Sequence, residues 1–81
     1  MQASTILTRI AAIITPYIGT AMARSSIEMH CKRLGIAGDV IDRGQLDQLL
    51  RQLSLGLNIF IGRDKTETVM QEIRGGMEIY R

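Results

Sequence analysis

The residues best suited to chemistry in this chain are His30 and Cys31, which are neighbours in the sequence. A cysteine nucleophile needs a general base aimed at its sulfur, and a structural zinc ion needs four ligands that usually come in spaced pairs. Adjacent residues of a helix point about 100° apart, so His30 is badly placed to activate Cys31 or to bind a metal with it. We therefore expect no enzyme activity, no metal and no cofactor, with Cys31 as a small core residue and His30 on the flank of its helix.

A second candidate for chemistry is the segment Asp39–Leu46, which superficially resembles the second half of an EF-hand. With Ile41 at the eighth position of such a loop, the first ligand position falls on Leu34 and the last on Gln45. Calcium is bound by a cage of oxygen ligands that includes carboxylates, and neither position supplies one. The sequence therefore predicts a turn at this place rather than a calcium site.

Basic residues offer a third possibility, a nucleic-acid surface, because phosphate neutralisation dominates the affinity of such proteins. The net charge is only +2, and cations alternate with carboxylates along the chain. Glu67 and Glu72 would repel a phosphate backbone from the helix that follows Gly62. Nucleic-acid binding or regulation is therefore the alternative function, and the residues that would serve it are Lys32, Arg33, Lys65 and Arg74.

The composition is that of a folded protein, since 46% of the residues are hydrophobic and 22% are charged. We expect one domain, residues 1–81, which at this length buries only about 60% of the surface that its unfolded chain exposes. So small a frame can leave an apolar helix stripe uncovered, which a second copy or a partner would bury. The single cysteine cannot form an internal disulfide, and this favours a reducing compartment such as the cytoplasm.

The apolar segment Ile10–Ala23 raises the question of a membrane. It ends in an Ala-Met-Ala pattern typical of signal-peptide cleavage sites, but cleavage would remove a large part of an already small core. The segment is shorter than the roughly 20 residues that a spanning helix needs, and it contains Pro16 and Gly19. We therefore expect no membrane span, and association of residues 5–23 with a membrane surface is a third functional possibility.

Helix signals cover the first half of the chain. Apolar residues at helical spacing predict a start after Ser4 or Thr5, and Pro16 either kinks this helix or begins a new one. Ser25, followed three residues later by Glu28, has the pattern of a capping box and predicts a further start. Gly35 predicts the end, because glycine readily adopts the left-handed conformation that closes a helix.

The second half of the chain carries the strongest local signal. Asp42 and Gln45 form a second capping-box pattern, and a broad apolar stripe follows them up to Gly62. Asp64 with Glu67 predicts another capped helix, which ends at Gly75. The residues after that glycine alternate between apolar and polar, and we expect them to dock on the rest of the chain or to fray.

Together these patterns predict an all-α fold, a small compact bundle of three to five short helices, without an internal repeat. The four methionines after Met1 are expected mainly to fill gaps in the core, with a flexible partner groove as the alternative. The predicted core consists of aliphatic residues and one aromatic residue: Ile10, Ile14, Ile18, Ile27, Leu34, Leu46, Leu49, Leu50, Leu53, Leu57, Phe60, Val69 and Ile73.

The function favoured by these patterns is a non-enzymatic interaction or oligomerisation module. An apolar stripe wider than one small core requires predicts a surface that binds another helix, and a homodimer is the favoured assembly. A protein segment is the other possible occupant of such a groove. The predicted partner-binding residues are Ile13, Tyr17, Leu55, Ile59 and Ile61.

Overall fold

A computed structural model of the chain describes residues 2–36 and 38–77, and within them it confirms a small all-α bundle. The four helices are α1, Ala3–Ile18; α2, Thr20–Leu34; α3, Arg43–Ile61; and α4, Arg63–Gly75. The predicted extended tail, apart from Met77 itself, lies outside the described residues. None of the helices in the described ranges is both long and apolar enough to cross a lipid bilayer.

The break between α1 and α2 lies at Gly19 rather than at either of the predicted points. Pro16 is inside α1, near its C-terminal end, and the chain turns only where Gly19 adopts φ +86°. Such a conformation is open to glycine and rare for any residue with a Cβ atom. The start predicted at Ser25 is wrong, because α2 already begins at Thr20 and Ser25 is in its interior. A capping pattern caps a helix only where the backbone leaves its N–H groups unpaired.

The end of α2 follows the prediction at Gly35. This residue has φ +72° and ψ +24°, the left-handed conformation of a helix-closing glycine. Its N–H donates to the carbonyl of Lys32, and the N–H of Ile36 donates to the carbonyl of Cys31 at 2.9 Å. These two bonds are those of the Schellman motif, and they turn the buried side chain of Ile36 back towards the core.

The start of α3 also follows the prediction. The backbone N–H of Gln45 donates to Oδ1 of Asp42 at 2.7 Å, and the backbone N–H of Asp42 donates to Oε1 of Gln45 at 3.0 Å. Ile41 and Leu46, on either side of this capping box, are both fully buried. This arrangement fixes the angle at which the chain enters α3.

The start of α4 differs from the prediction. Gly62 rather than Asp64 is the N-cap, and Asp64 lies in the first turn. A carboxylate there still interacts favourably with the positive end of the helix dipole. The hydroxyl of Thr66 donates to the carbonyl of Gly62 at 2.8 Å, so the buried threonine is satisfied at the corner itself.

Each helix packs mainly against two others. α1 packs against α2 and α3 packs against α4, while the two pairs meet where α2 touches α3 and α1 touches α4. Of the predicted core residues, only Phe60 is exposed, whereas Ile18 and Leu34 are half-buried and pack against the core. The apolar stripe of α3 continues from Leu57 to the half-buried Ile61, one helical turn on, so Phe60 points away from the core.

The two helix pairs repeat one arrangement. We call α1 with α2 the N-terminal pair and α3 with α4 the C-terminal pair, and Gly62 follows Gly19 by 43 positions. Both glycines have φ +86°, with ψ of 159° and 163°. Each donates its N–H to the carbonyl four residues earlier, that of Thr15 or Asn58. One corner geometry is therefore used twice.

Burial follows the same shift of 43 positions. Equivalent positions that are buried in both pairs are Ala3 and Leu46, Ile6 and Leu49, Ile10 and Leu53, Ile14 and Leu57, Ala23 and Thr66, Ile27 and Met70, and His30 and Ile73. The sequence did not predict this repeat, because few equivalent positions hold the same residue type. Gly19 and Gly62 are one of the few identical pairs. What the two pairs share is the spacing of buried side chains rather than their identity.

Candidate interaction surface

An open groove of about 350 Å³ runs between α2 and α3. We call it the α2–α3 groove. Its walls are mostly aliphatic, with one aromatic ring and a few uncharged polar groups, and none of the described residues that line it is an Asp, Glu, Lys or Arg. The lining consists of Ile18, Met22, Ser26, Met29 and His30 on one side, and Gln52, Leu53, Leu55, Gly56, Leu57, Ile59 and Phe60 on the other.

Five large apolar side chains of this groove are exposed. Their exposed fractions are 38% for Met22, 44% for Met29, 56% for Leu55, 87% for Ile59 and 62% for Phe60. At roughly 200 Å² for a fully exposed side chain of this size, they present on the order of 500 Å² of apolar surface. The largest apolar patch of a typical monomer is about 300–600 Å², and patches of that size often mark interaction sites.

The α3 side of the groove has both a projection and a depression. Ile59 and Phe60 project from the helix, whereas Gly56, one turn earlier, has no side chain and no neighbouring atom within 4 Å of the place where a Cβ would stand. Side chains of one helix pack into the spaces between side chains of another. The groove therefore offers both halves of a helix-packing contact on one surface.

His30 forms part of the floor of the groove, not the flank of a helix as predicted. Its exposed fraction is 8%, and its Nδ1 has no hydrogen-bond partner among the described residues. Burial of the imidazole, and secondarily the positive charge of Arg33, lower the pKa of His30 below its usual 6.5. The position equivalent to His30 in the C-terminal pair is held by Ile73, which is fully buried. A core position is thus occupied by a titratable group whose Nδ1 has no partner among the described residues.

The equivalent face of the other two helices, the α1–α4 face, carries three charged residues. Lys65 and Glu72 of α4 stand where α2 has Met22 and Met29, and Arg9 of α1 stands where α3 has Gln52. The Arg9 guanidinium lies against the backbone of Gly76, where it fills the space that a side chain at that glycine would need. The fold therefore tolerates charged side chains at the two α4 positions that correspond to Met22 and Met29.

The predicted partner-binding residues do not all lie on one surface. Leu55 and Ile59 are exposed and line the groove, as a docking surface requires. Ile13, Tyr17 and Ile61 are half-buried and pack against the core instead. Their side chains are largely used by the fold and leave little area for a partner.

Ten of the twelve described residues that line this groove were not predicted to bind a partner, among them Met22, Met29, His30 and Phe60. Phe60 was assigned to the core by its spacing, and Met22 and Met29 were expected to fill core gaps, although both are exposed. Met70 and Met77 are buried as predicted. Residues seven or eight positions apart lie on the same face of a helix, and Met29 and His30 have this spacing from Met22. This spacing was the signal in the sequence that the three side chains share a face.

The predicted cationic residues are spread over two helices. Lys32 and Arg33 are exposed at the end of α2, while Lys65 and Arg74 are exposed at opposite ends of α4. A rise of about 1.5 Å per residue separates the latter two by about 13 Å along the helix axis. Arg74 lines a more polar cleft of about 530 Å³ between α3 and α4, in which Arg63 pairs with Glu67 at 3.5 Å. These cations alternate with carboxylates and do not form one basic stripe.

No group of three or more histidine, cysteine, aspartate or glutamate side chains lies close enough to bind a metal ion in the described parts of the chain. Comparisons with protein families, with curated proteins and with solved structures found no match.

Proposed function

We propose that this chain is a non-enzymatic self-association module, in which two copies form a homodimer through the α2–α3 groove. The observation that carries the proposal is the contrast between this groove and the α1–α4 face. Equivalent positions hold Met22 and Met29 in one and Lys65 and Glu72 in the other. Since the fold accepts charge at these positions, exposed methionines there need a different reason, and an apolar partner supplies one.

A second copy fits the groove because the surface is complementary to itself. In a twofold interface the same patch of both subunits meets, so projection and depression must lie on one surface. Ile59 projects about one helical turn from the depression at Gly56. Two α3 helices that cross about a twofold axis place Ile59 of each protomer over Gly56 of its partner.

The charge of the groove also favours a second copy. Charged partners are recognised by complementary charges, and the lining residues carry none. Two copies of the whole chain, each at +2, repel weakly, but no like charges meet inside the apolar surface. The uncharged lining can thus pack against the same surface of a second copy without the free-energy cost of burying charged groups.

The available area suits a dimer of modest stability. A standard interface buries about 800 Å² on each partner, and the five exposed side chains already supply on the order of 500 Å². The remaining area comes from Ser26, Gln52 and the backbone around Gly56, which border them. Area alone does not set affinity, and an open groove without charged anchors is expected to give a micromolar rather than a nanomolar dimer.

The test is a matched pair of substitutions at equivalent positions. Leu55→Asp places a carboxylate in the groove, whereas Ala12→Asp places the same group at the equivalent exposed position of α1. Sedimentation equilibrium measures the dimer dissociation constant Kd of each. We expect Leu55→Asp to raise Kd by at least about 30-fold, because a charge at the centre of an apolar interface costs about 2 kcal/mol or more. Ala12→Asp should leave Kd unchanged.

The alternative of nucleic-acid binding has a separate readout. Binding to phosphate weakens steeply with added salt, whereas association through an uncharged apolar surface does not. A chain that stays monomeric, and that binds a DNA or RNA duplex in a salt-dependent way reduced by Lys65→Ala, would replace the proposal with this alternative.

A further inference from the structure

His30 is the single histidine of the chain, and its place in the α2–α3 groove is not explained by packing alone. An apolar residue, Ile73, fills the equivalent position of the C-terminal pair. The buried Nδ1 of His30 makes no hydrogen bond within the described residues, so this atom contributes no polar contact that would favour histidine over isoleucine. What histidine adds is a charge that depends on pH.

We propose that His30 is a pH switch for the self-association of the groove: the dimer forms while His30 is neutral and dissociates when the imidazole takes up a proton. This inference rests on the proposed function, since it needs a second copy to close the groove. The imidazole already borders the floor of the groove, so a copy seated on the groove removes water from its remaining exposed edge. An imidazolium enclosed in this way has lost its hydration.

None of the described residues that line the groove with His30 carries a negative charge that could compensate an imidazolium. On α2 itself, Arg33 is a like charge, and Arg24 and Glu28 line the cleft on the α1 side of the helix. The neighbouring thiol of Cys31 is neutral over the relevant range, because burial raises its pKa. The α3 wall of the groove contributes only uncharged residues, of which Gln52 is the polar one, and α1 contributes Ile18.

The direction of the effect follows from linkage. A proton binds more weakly to His30 in the closed dimer than in the open monomer, so lowering the pH shifts the equilibrium towards monomers. Each dimer contains two such histidines, and dissociation can therefore take up as many as two protons. Between pH 7.5 and pH 5.5 we expect Kd to rise severalfold, and by less than the roughly 100-fold that two histidines of unshifted pKa would give.

The experiment measures Kd by sedimentation equilibrium at pH 7.5 and pH 5.5 for the natural chain and for His30→Ile, with circular dichroism to follow the fold. His30→Ile introduces the residue that the equivalent position already accommodates, so the variant is expected to fold and to dimerise with the same Kd at both pH values. A natural chain whose Kd is the same at both pH values, or a variant that keeps the full dependence, overturns the switch while leaving the dimer intact. A natural chain that is monomeric at both pH values overturns the proposed function, and the switch falls with it.

A second measurement follows the proton itself. As the only histidine, His30 gives one set of imidazole C–H signals in an NMR titration of the natural chain. We expect its pKa to be lower at a protein concentration well above Kd than at one well below it. Equal values at the two concentrations would show that the second copy does not enclose the imidazole, and would overturn the switch even if Kd changed with pH for another reason.

Discussion

The N-terminal and C-terminal helix pairs place buried side chains at the same spacing, yet the two faces along which the pairs meet differ. The α1–α4 face carries Arg9, Lys65 and Glu72, whereas the described residues that line the α2–α3 groove include two methionines and an exposed Ile59 and are all uncharged or neutral by type, apart from the titratable His30. The shared spacing is what the fold requires. Folding does not require the apolar residues that are found only in the α2–α3 groove, and we propose that they serve self-association instead. Substitutions in the core, at the corners and in the groove test this distinction.

The largest effects are expected in the shared core. Ile6 and Leu49 occupy equivalent buried positions, and truncation of either to alanine removes several methylene groups and leaves a cavity. We expect Ile6→Ala and Leu49→Ala each to lower the free energy of unfolding by about 2–5 kcal/mol in urea denaturation. Similar losses of free energy of unfolding for the two variants would support the equivalence of the two helix pairs. A cost near zero for one of them would show that the pairs do not share one core.

The two corners come next in size. Gly19 and Gly62 have φ +86° with an extended ψ, a conformation that costs a residue with a side chain about 1–3 kcal/mol. We therefore expect Gly19→Ala and Gly62→Ala to lower the free energy of unfolding by that amount. The control is Gly75→Ala, at the exposed end of α4 with ordinary helical backbone and open space around it, which should be neutral or slightly stabilising. Equal effects of all three substitutions would contradict the corner geometry.

Replacement of His30 by an apolar residue is expected to make the folded chain more stable. A buried polar atom without a partner costs about 1–3 kcal/mol, so His30→Ile should raise the free energy of unfolding by up to that amount at pH 7.5. Because the pKa of His30 is lowered in the folded chain, the unfolded chain binds more protons below about pH 6.5. The natural chain should therefore lose stability as the pH falls through that value.

The control for this prediction is the variant itself. Over pH 7.5 to 5.5, urea denaturation of His30→Ile should show a smaller loss of stability than that of the natural chain. Measurements at a protein concentration below Kd keep dimer formation out of the comparison. A destabilised variant would mean that the imidazole makes a contact of structural value.

The smallest effects on stability are expected at the surface of the groove. Ile59 is 87% exposed, so Ile59→Asp should change the free energy of unfolding of the monomer by no more than about 0.5 kcal/mol. Thermal denaturation at low protein concentration measures this. A large loss would indicate that Ile59 belongs to the fold and not to an interface.

How much of the fold follows from the sequence depends on how local each signal is. The Asp42 and Gln45 capping box and the Gly35 stop are made by residues within one turn, and both were predicted correctly. The Ser25 pattern failed because its meaning depends on where the preceding helix ends, which the corner at Gly19 decides. Residue types alone did not distinguish a glycine that turns the chain from a proline that merely sits near a helix end.

The candidate surface was harder to predict from the sequence than the fold. Leu55 and Ile59 were identified because an apolar run too continuous for one stripe must leave some side chains outside. Phe60 was misplaced because i+3 and i+4 spacings from Leu57 are both helical, and only packing selects Ile61 as the inward residue. The charged α1–α4 face, which gives the groove its significance, became visible only with the three-dimensional repeat.

The most direct test of the central claim is the solution mass of the natural chain, measured by light scattering behind gel filtration at pH 7.5 and at low and high salt. Loading concentrations should run from about 5 to 500 μM, a range that brackets a micromolar Kd. We predict a mass that rises from monomer towards dimer with concentration, to the same extent at both salt concentrations. A mass that remains that of the monomer over the whole range would contradict self-association through the α2–α3 groove.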